Sequence, residues 1–396
     1  MSATRLIIRN EDSDNTVITN KVATSCIRDF LGRHLFPAVA MDEEESPNSV
    51  VVCVLQNAAN QAGQLVKKVI KRKKIALSTE LQELQHFLDP YCSAQHQATV
   101  ESTYNWYNIA DLFERNGWHL KLADPTTVKN NKTKFSDDIS DAEFLADQMR
   151  LGALKAADII PKQDRAFRDL VRLRVDLVQD RARYRTVLKN FFNNQRYMKI
   201  TTARLNRMTE QYCDGDVTEL YSIFDNDNTC LKAGHYLTAM HHLNLQIQQL
   251  EEQIKAQEIK NDLTCHRYLP RLYSMKGCGF ILGSIIATEI VNINRFRTEK
   301  DFVSYCRLSP AVRLSNEKKK GDGNRKNGNA YLSWAMTELA NLMVFHNPVI
   351  KKKYDRQLKK SHLRAKAIRS IAAKLARCIW HMLKKDKDFQ IDLAFK

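Results

Sequence analysis

Residues 37–56, PAVAMDEEESPNSVVVCVLQ, decide the fold class. PAVAMD and SVVVCVLQ are short apolar, β-branched runs, and the acidic Ser-Pro-Asn segment between them has turn chemistry. GQLVKKVIKRKK at 63–74 continues as a third strand. Further on the texture alternates: STELQELQHFL is helical, QATVES is a strand, YNWYNIADLFERNG a helix and WHLKLADP a strand. KFSDDISDAEFLADQ, 134–148, then opens another helix, with Asp137 as its cap and Ile139, Ala142, Leu145 and Ala146 as its buried stripe. Three strands in a meander followed by helix–strand–helix–strand–helix predict an α/β domain with a mixed sheet over 37–160. Residues 1–36 form a polar, irregular N-terminal extension.

The bulk numbers exclude several classes. At 396 residues the chain can hold two or three cores, and 43% hydrophobic with 27% charged residues is ordinary globular composition. The longest apolar run, FILGSIIATEIV, carries Gly283 and Glu289 and reads as a core helix, so no membrane span is expected. The first residues lack a signal-peptide apolar stretch, and nine cysteines without a CxxC pair fit a reducing cytoplasm. No histidine stands at zinc-ligand spacing from two cysteines.

The charge is uneven. The net value is +17, and residues 311–396 hold 21 Lys and Arg against 7 Asp and Glu, or +14. A polyanion is the natural partner of such a surface, because phosphate contacts release counterions.

After Pro161 the pattern turns helical to about 268. Phe167, Leu170, Val171, Leu177, Val178, Tyr184, Leu188 and Phe191 mark one face of a long helix, with arginines 165, 168, 172, 181 and 185 mostly off it. Tyr236, Met240, Leu243, Ile247, Leu250 and Ile254 alternate spacings of four and three, a short coiled-coil seam. Such a seam can pair two chains or pack within one. From 269 to 396 a basic, mainly α domain follows. KGCGFILGSIIATEI has the look of a helix-hairpin-helix element, in which Gly277 and Gly279 let the turn approach a phosphate. SNEKKKGDGNRKNGNAYLSWAM reads as a cationic Lys/Gly/Asn loop running into a helix, with Lys318, Lys319, Lys320, Arg325 and Lys326 as nucleic-acid contacts.

Acids stand where strands end: Asp42 closes PAVAMD and Glu101 closes QATVE. Adjacent strand ends in such a sheet border one crevice, and Asp138 and Asp141, three apart, share a helix face. Four carboxylates meeting there would repel strongly, so the arrangement calls for cations, and oxygen ligands select Mg²⁺ or Mn²⁺. A pair of such ions clamps the attacking and leaving oxygens of a phosphodiester.

The order strand-Asp, strand-Glu in VESTYNWYNIADLFERNGWHLKLADP, then DDISDAEFLA, resembles the DEDD transposases of insertion-sequence family one-ten, including its eleven-eleven subgroup. MKGCGFILGSIIATEIVNINRFRTEKDFVSYCRLSPAVRLSNEKKKGDGNRKNGNAYLSWA and HNPVIKKKYDRQLKK resemble the C-terminal domain of the same family, and the likeness spans 37 to about 385. The resemblance implies a RuvC-like (RNase H-like) N-terminal domain. It also implies that Asp42, Glu101, Asp138 and Asp141 bind two metal ions. Ser315 matches the serine taken as the family's recombinase nucleophile, with Ser309 and Ser333 the other serines nearby. Here Glu43 to Glu45 follow Asp42, and Asn316 and Glu317 follow Ser315, where the family tends to a basic residue and to glycines.

The expected function is therefore a DNA transposase or recombinase that cuts and rejoins donor and target DNA. The resemblance further implies guidance by a noncoding bridge RNA, assembly as a homo-oligomer (dimer or tetramer), and work beside the bacterial nucleoid. Alternatives are a site-specific invertase or junction nuclease of the same fold, or an inactive nucleic-acid-binding regulator.

Overall fold

The computed structural model of the chain describes residues 38–395 apart from 44–48, 60–64, 78–80, 93–96, 103–105, 125–137, 261–262, 310–311, 316–317 and 323–326. Backbone alone is described for 38–43, 49, 56–59, 65–67, 97, 258–260, 312–315 and 318–322. Two compact units result, residues 1–159 and 160–396.

The first unit is built on a six-stranded mixed sheet. Its strands are β1 (Ala38–Glu43), β2 (Ser49–Ala59), β3 (Leu65–Ala76), β4 (Gln97–Glu101), β5 (His119–Ala123) and β6 (Ala156–Ala157), in the order β3-β2-β1-β4-β5-β6. β1, β2 and β3 form the antiparallel meander, and β4 then β5 add in parallel on the other side of β1. Val50 to Leu55 of β2 are all buried, so this strand is covered on both faces. β3 is the edge, and its run of exposed Lys and Arg keeps that edge from pairing with another chain. Its side chains alternate between helices. Lys71 lies over the ring of Phe87 and Lys73 bonds Glu83, both from α1 (Gln82–Leu88) or its flank, whereas Arg72 pairs with Glu143 of α3 (Asp138–Arg150). Helix α2 (Trp106–Arg115) bridges β4 and β5 and buries Ile109, Leu112 and Phe113.

α3 packs on β2 and β5 through Ala142, Leu145 and Ala146 against Val51, Cys53, Leu55 and Ala123. Ile139 departs from the expected stripe: it is 47% exposed. The buried stripe is Asp141, Ala142, Leu145, Ala146 and Met149, so a carboxylate takes part in the sheet-facing side. The expected cap, Asp137, lies outside the described residues.

The second unit is helical. α4 (Lys162–Arg196), α5 (Thr202–Cys213), α6 (Thr218–Ile223) and α7 (Asp227–Lys260) lead into α8 (Leu269–Tyr273), α9 (Phe280–Ile290), α10 (Glu299–Tyr305), α11 (Ala330–His346), α12 (Pro348–Ser361), α13 (Arg364–Lys385) and α14 (Ile391–Ala394). α4 and α7 run antiparallel: Arg174 Nε donates to Glu251 Oε1 at 2.9 Å, Arg181 Nη1 to Asn244 Oδ1 at 2.9 Å, and Tyr184 meets Tyr236. The heptad seam is therefore occupied within the chain, and Met240, Leu243, Ile247 and Ile254 are buried there. One core gathers Leu188, Phe192, Leu205, Phe224 and Leu237; a larger one joins Phe167, Val171, Val175 and Ile254 to the helices from α8 onward.

The arginines of α4 differ from the sequence reading. Arg165 and Arg168 are buried, 5% and 9% exposed, because each has a partner inside. Arg165 Nε donates to the Ile160 carbonyl at 2.9 Å, and Arg168 reaches Glu289.

Candidate functional site: a carboxylate row and a serine hairpin

Register brings the first two predicted acids together. β1 and β4 pair in parallel through Met41 and Val100, and one residue further along each strand stand Asp42 and Glu101. On the other sides of these strands Asp42 is opposite Val51, and Glu101 is opposite Ala123. A single row thus crosses four strands: Val51, Asp42, Glu101, Ala123. Val51 and Ala123 at its two ends both belong to the core covered by α3. Asp138 and Asp141 fill the first turn of that helix. Glu101 is 8% exposed and Asp141 9% exposed, which is rare for carboxylates and marks them as inward-facing.

The donor set is all oxygen, two of its members are nearly buried, and it suits a hard divalent cation such as Mg²⁺ or Mn²⁺ rather than zinc. Among the described residues no group of three or more His, Cys, Asp and Glu side chains is placed to hold a metal ion, and the Asp42 side chain lies outside them.

In the second unit, α8 and α9 are joined by a short turn through Gly277 and Gly279, at the place where the helix-hairpin-helix element is expected. The two glycines serve differently. Gly277 has φ +103°, and a Cβ on it would lie 3.3 Å from Leu342 Cβ of α11, so it permits the turn and a close helix contact. Gly279 caps α9 with open space around it.

The expected cationic loop is in part a β-hairpin. β7 (Val312–Ser315) pairs antiparallel with β8 (Lys318–Asp322), and Ser315, the last residue of β7, is opposite Lys318. Lys319 is opposite Leu314, and Lys320 follows in β8. Arg325 and Lys326 lie outside the described residues. Ser309 precedes the hairpin and Ser333 lies in the first turn of α11.

The chain enters and leaves this segment through one neck. Asn329 N–H donates to the Tyr305 carbonyl at 2.6 Å, and Arg307 Nε donates to the Gly328 carbonyl at 2.8 Å. Gly328 has φ +97°, and a Cβ there would stand 2.5 Å from the Tyr305 carbonyl oxygen, so the neck requires glycine. Beneath it lies Glu289, 1% exposed. Its carboxylate accepts from Arg168 Nη2 at 2.8 Å, from Arg172 Nε at 2.5 Å and Nη2 at 2.9 Å, and from Asn329 Nδ2 at 2.6 Å. Burial pushes this carboxyl up, but the Arg172 and Arg168 guanidiniums and the Asn329 amide outweigh it and hold it below its ordinary value. Arg172 also stacks over Tyr331, whose hydroxyl meets Asp176 at 3.1 Å.

Sequence reading missed this cluster. The one available signal was Glu289 itself, a lone acid in an otherwise apolar helix; its partners stand 40 to 121 residues away.

Two family models match the chain. Residues 40–194 match a DEDD transposase model of the IS110 group, and residues 269–355 match "Transposase IS116/IS110/IS902 family". No curated protein matches in sequence. Among solved structures, the Thermus thermophilus RuvC structure aligns at 12% identity and TM-score 0.23, over 31% of this chain and all of that one. The match to the DEDD transposase model makes the chain a DNA-cleaving and strand-transferring enzyme. The chain belongs to the IS110 family of DEDD transposases.

Proposed function

We propose that this transposase cuts and rejoins donor and target DNA with Asp42, Glu101, Asp138 and Asp141 as the ligands of two divalent cations, Mg²⁺ or Mn²⁺, and Ser315 as nucleophile. The observation that carries the reading is the row Val51–Asp42–Glu101–Ala123 under the helix whose first turn holds Asp138 and Asp141. The bound cations supply Lewis-acid polarisation of the phosphodiester. Ser315 Oγ forms a bond to phosphorus as one bridging P–O bond breaks; the serine proton passes to solvent, and the departing DNA oxygen takes a proton from solvent to become a hydroxyl. The phosphoserine link conserves the ester, and attack by another DNA hydroxyl rejoins the strand and frees Ser315. Lys318, Lys319 and Lys320 of β8, with Arg325 and Lys326, neutralise phosphate charge around it, while Gly277 and Gly279 bring backbone to the nucleic acid.

A noncoding RNA of the element supplies sequence choice by base pairing, with the protein reading backbone shape, and the working particle is a homo-oligomer, a dimer or tetramer. The +17 net charge supports a partner of this kind. The test is a cleavage assay with end-labelled DNA, Mg²⁺ and the element's RNA. Stalled reactions are expected to leave DNA bound to protein through Ser315, and the adduct is expected to be lost in Asp141→Ala and in EDTA. An adduct that survives Ser315→Ala moves the nucleophile to Ser309; free ends without any adduct make water the nucleophile. Cleavage equal with and without the RNA removes guidance.

A further inference from the structure

The C-terminal helices carry charge that the proposed chemistry leaves unused. Residues 348–385, spanning α12 and α13, hold 13 Lys and Arg against one Asp, a net +12. α12 buries Ile350 and Tyr354. Its opposite side presents Lys352, Arg356 and Lys359, all exposed and spaced by four and three residues, one stripe on a helix. At 1.5 Å per residue the stripe is about 11 Å long. Asp355, three residues after Lys352 and four before Lys359, borders the stripe, and its carboxylate pairs with Lys351 at 3.5 Å. Among the described residues no carboxylate pairs with Lys352, Arg356 or Lys359.

This cationic array is not explained by the needs of the helices. Lys359 and Lys360 suit the negative end of α12, but Lys352 and Arg356, in its body, gain nothing there and repel one another at i,i+4. The band continues into the first turn of α13 with Arg364 and Lys366, where the helix dipole disfavours cations and no acid offsets them. A row of exposed like charges attracts a polyanion.

We propose that the exposed side of α12, continued by the first turn of α13, docks the sugar-phosphate backbone of duplex DNA, with Lys352, Arg356 and Lys359 each meeting a phosphate. The choice of DNA as the polyanion rests on the reading of the chain as a DNA transposase; the existence of the stripe does not.

The experiment titrates fluorescent duplex DNA with the full chain at a series of salt concentrations. Three proteins are compared: unmodified, Lys352→Ala/Arg356→Ala/Lys359→Ala, and a charge-matched control, Arg183→Ala/Lys199→Ala/Lys255→Ala, altered at exposed positions elsewhere. Each phosphate contact contributes about 0.9 to the slope of log affinity against log salt, so the stripe variant is expected to lose about 3 from that slope, and the control to keep it. An unchanged slope in the stripe variant, or an equal loss in the control, overturns the proposal. A loss seen with a hairpin RNA but not with duplex DNA overturns the assignment to DNA. If the unmodified protein shows no salt-dependent DNA binding at all, the transposase reading fails with it, which separates the two failures.

Discussion

Asn329 donates its side-chain amide to Glu289 Oε2 at 2.6 Å and accepts the Leu332 N–H on Oδ1 at 2.9 Å, so one side chain ties a buried carboxylate on α9 to the first turn of α11. Its backbone N–H meanwhile closes the neck of the serine hairpin on Tyr305. The feet of the hairpin are thereby fixed to the interior of the helical unit through Glu289, Arg168 and Arg172.

Glu289→Ala leaves Arg168 buried without its counter-charge, and such a broken pair costs about 3–5 kcal/mol. Urea unfolding is expected to show a loss of that size, with Glu289→Gln less damaging because it keeps an acceptor. A loss under about 1 kcal/mol in Glu289→Ala would show that the network is relaxed by water.

The same carboxylate predicts a pH dependence. Its folded value lies below that of the unfolded chain, so its contribution is complete above about pH 4.3, the ordinary glutamate value, and fades as pH falls through the depressed one. Unfolding midpoints measured below pH 4.3 are expected to fall more steeply for the unmodified protein than for Glu289→Gln. Parallel curves would contradict this.

Gly328→Ala places a methyl against the Tyr305 carbonyl in a left-handed backbone region, at a cost of about 1–3 kcal/mol. Gly279→Ala, with open space and φ −79°, is expected to cost under about 1 kcal/mol. Thermal melts of the two variants should separate them in that order.

If Asp141 of the first turn of α3 is a cation ligand as proposed, Asp141→Ala is expected to abolish strand cleavage and leave DNA affinity nearly unchanged, because such a carboxylate would serve a cation and not the phosphate backbone. A DNA-binding titration beside the cleavage assay checks both halves. Weakened binding with residual cleavage would assign Asp141 to positioning alone.

Cys92, Cys265 and Cys278 are buried, and burial pushes each thiol up to about 12. They are expected to resist a disulfide reagent at pH 8 in the native protein and to react on denaturation. Rapid native labelling of any of them would show that its core opens readily.

Much of the fold was legible because it rests on local patterns. Turn residues and apolar runs marked β1 to β5, since side-chain alternation and turn chemistry act over a few residues. The order of elements then constrained the sheet, and the seam of α7 was visible in its spacing of four and three. Strand-ending acids at Asp42 and Glu101 and the i,i+3 pair Asp138 and Asp141 could be named for the same reason. Pairing register, by contrast, is a long-range property. Only the sheet puts Asp42 and Glu101 in one row between Val51 and Ala123. Ile139 was misread because apolar periodicity assumes that acids face water, whereas here Asp141 takes a place on the buried stripe and leaves Ile139 outside. Arg168 and Arg172 looked solvent-facing for a similar reason: a charge is stable inside only beside a partner, and theirs, Glu289, stands more than a hundred residues away. The sequence by itself determined strands β1 to β5, the long helices and where charge accumulates, but not β6 or the β7–β8 hairpin; tertiary packing decided which charges are buried, because desolvation is offset only by contacts that distant segments supply.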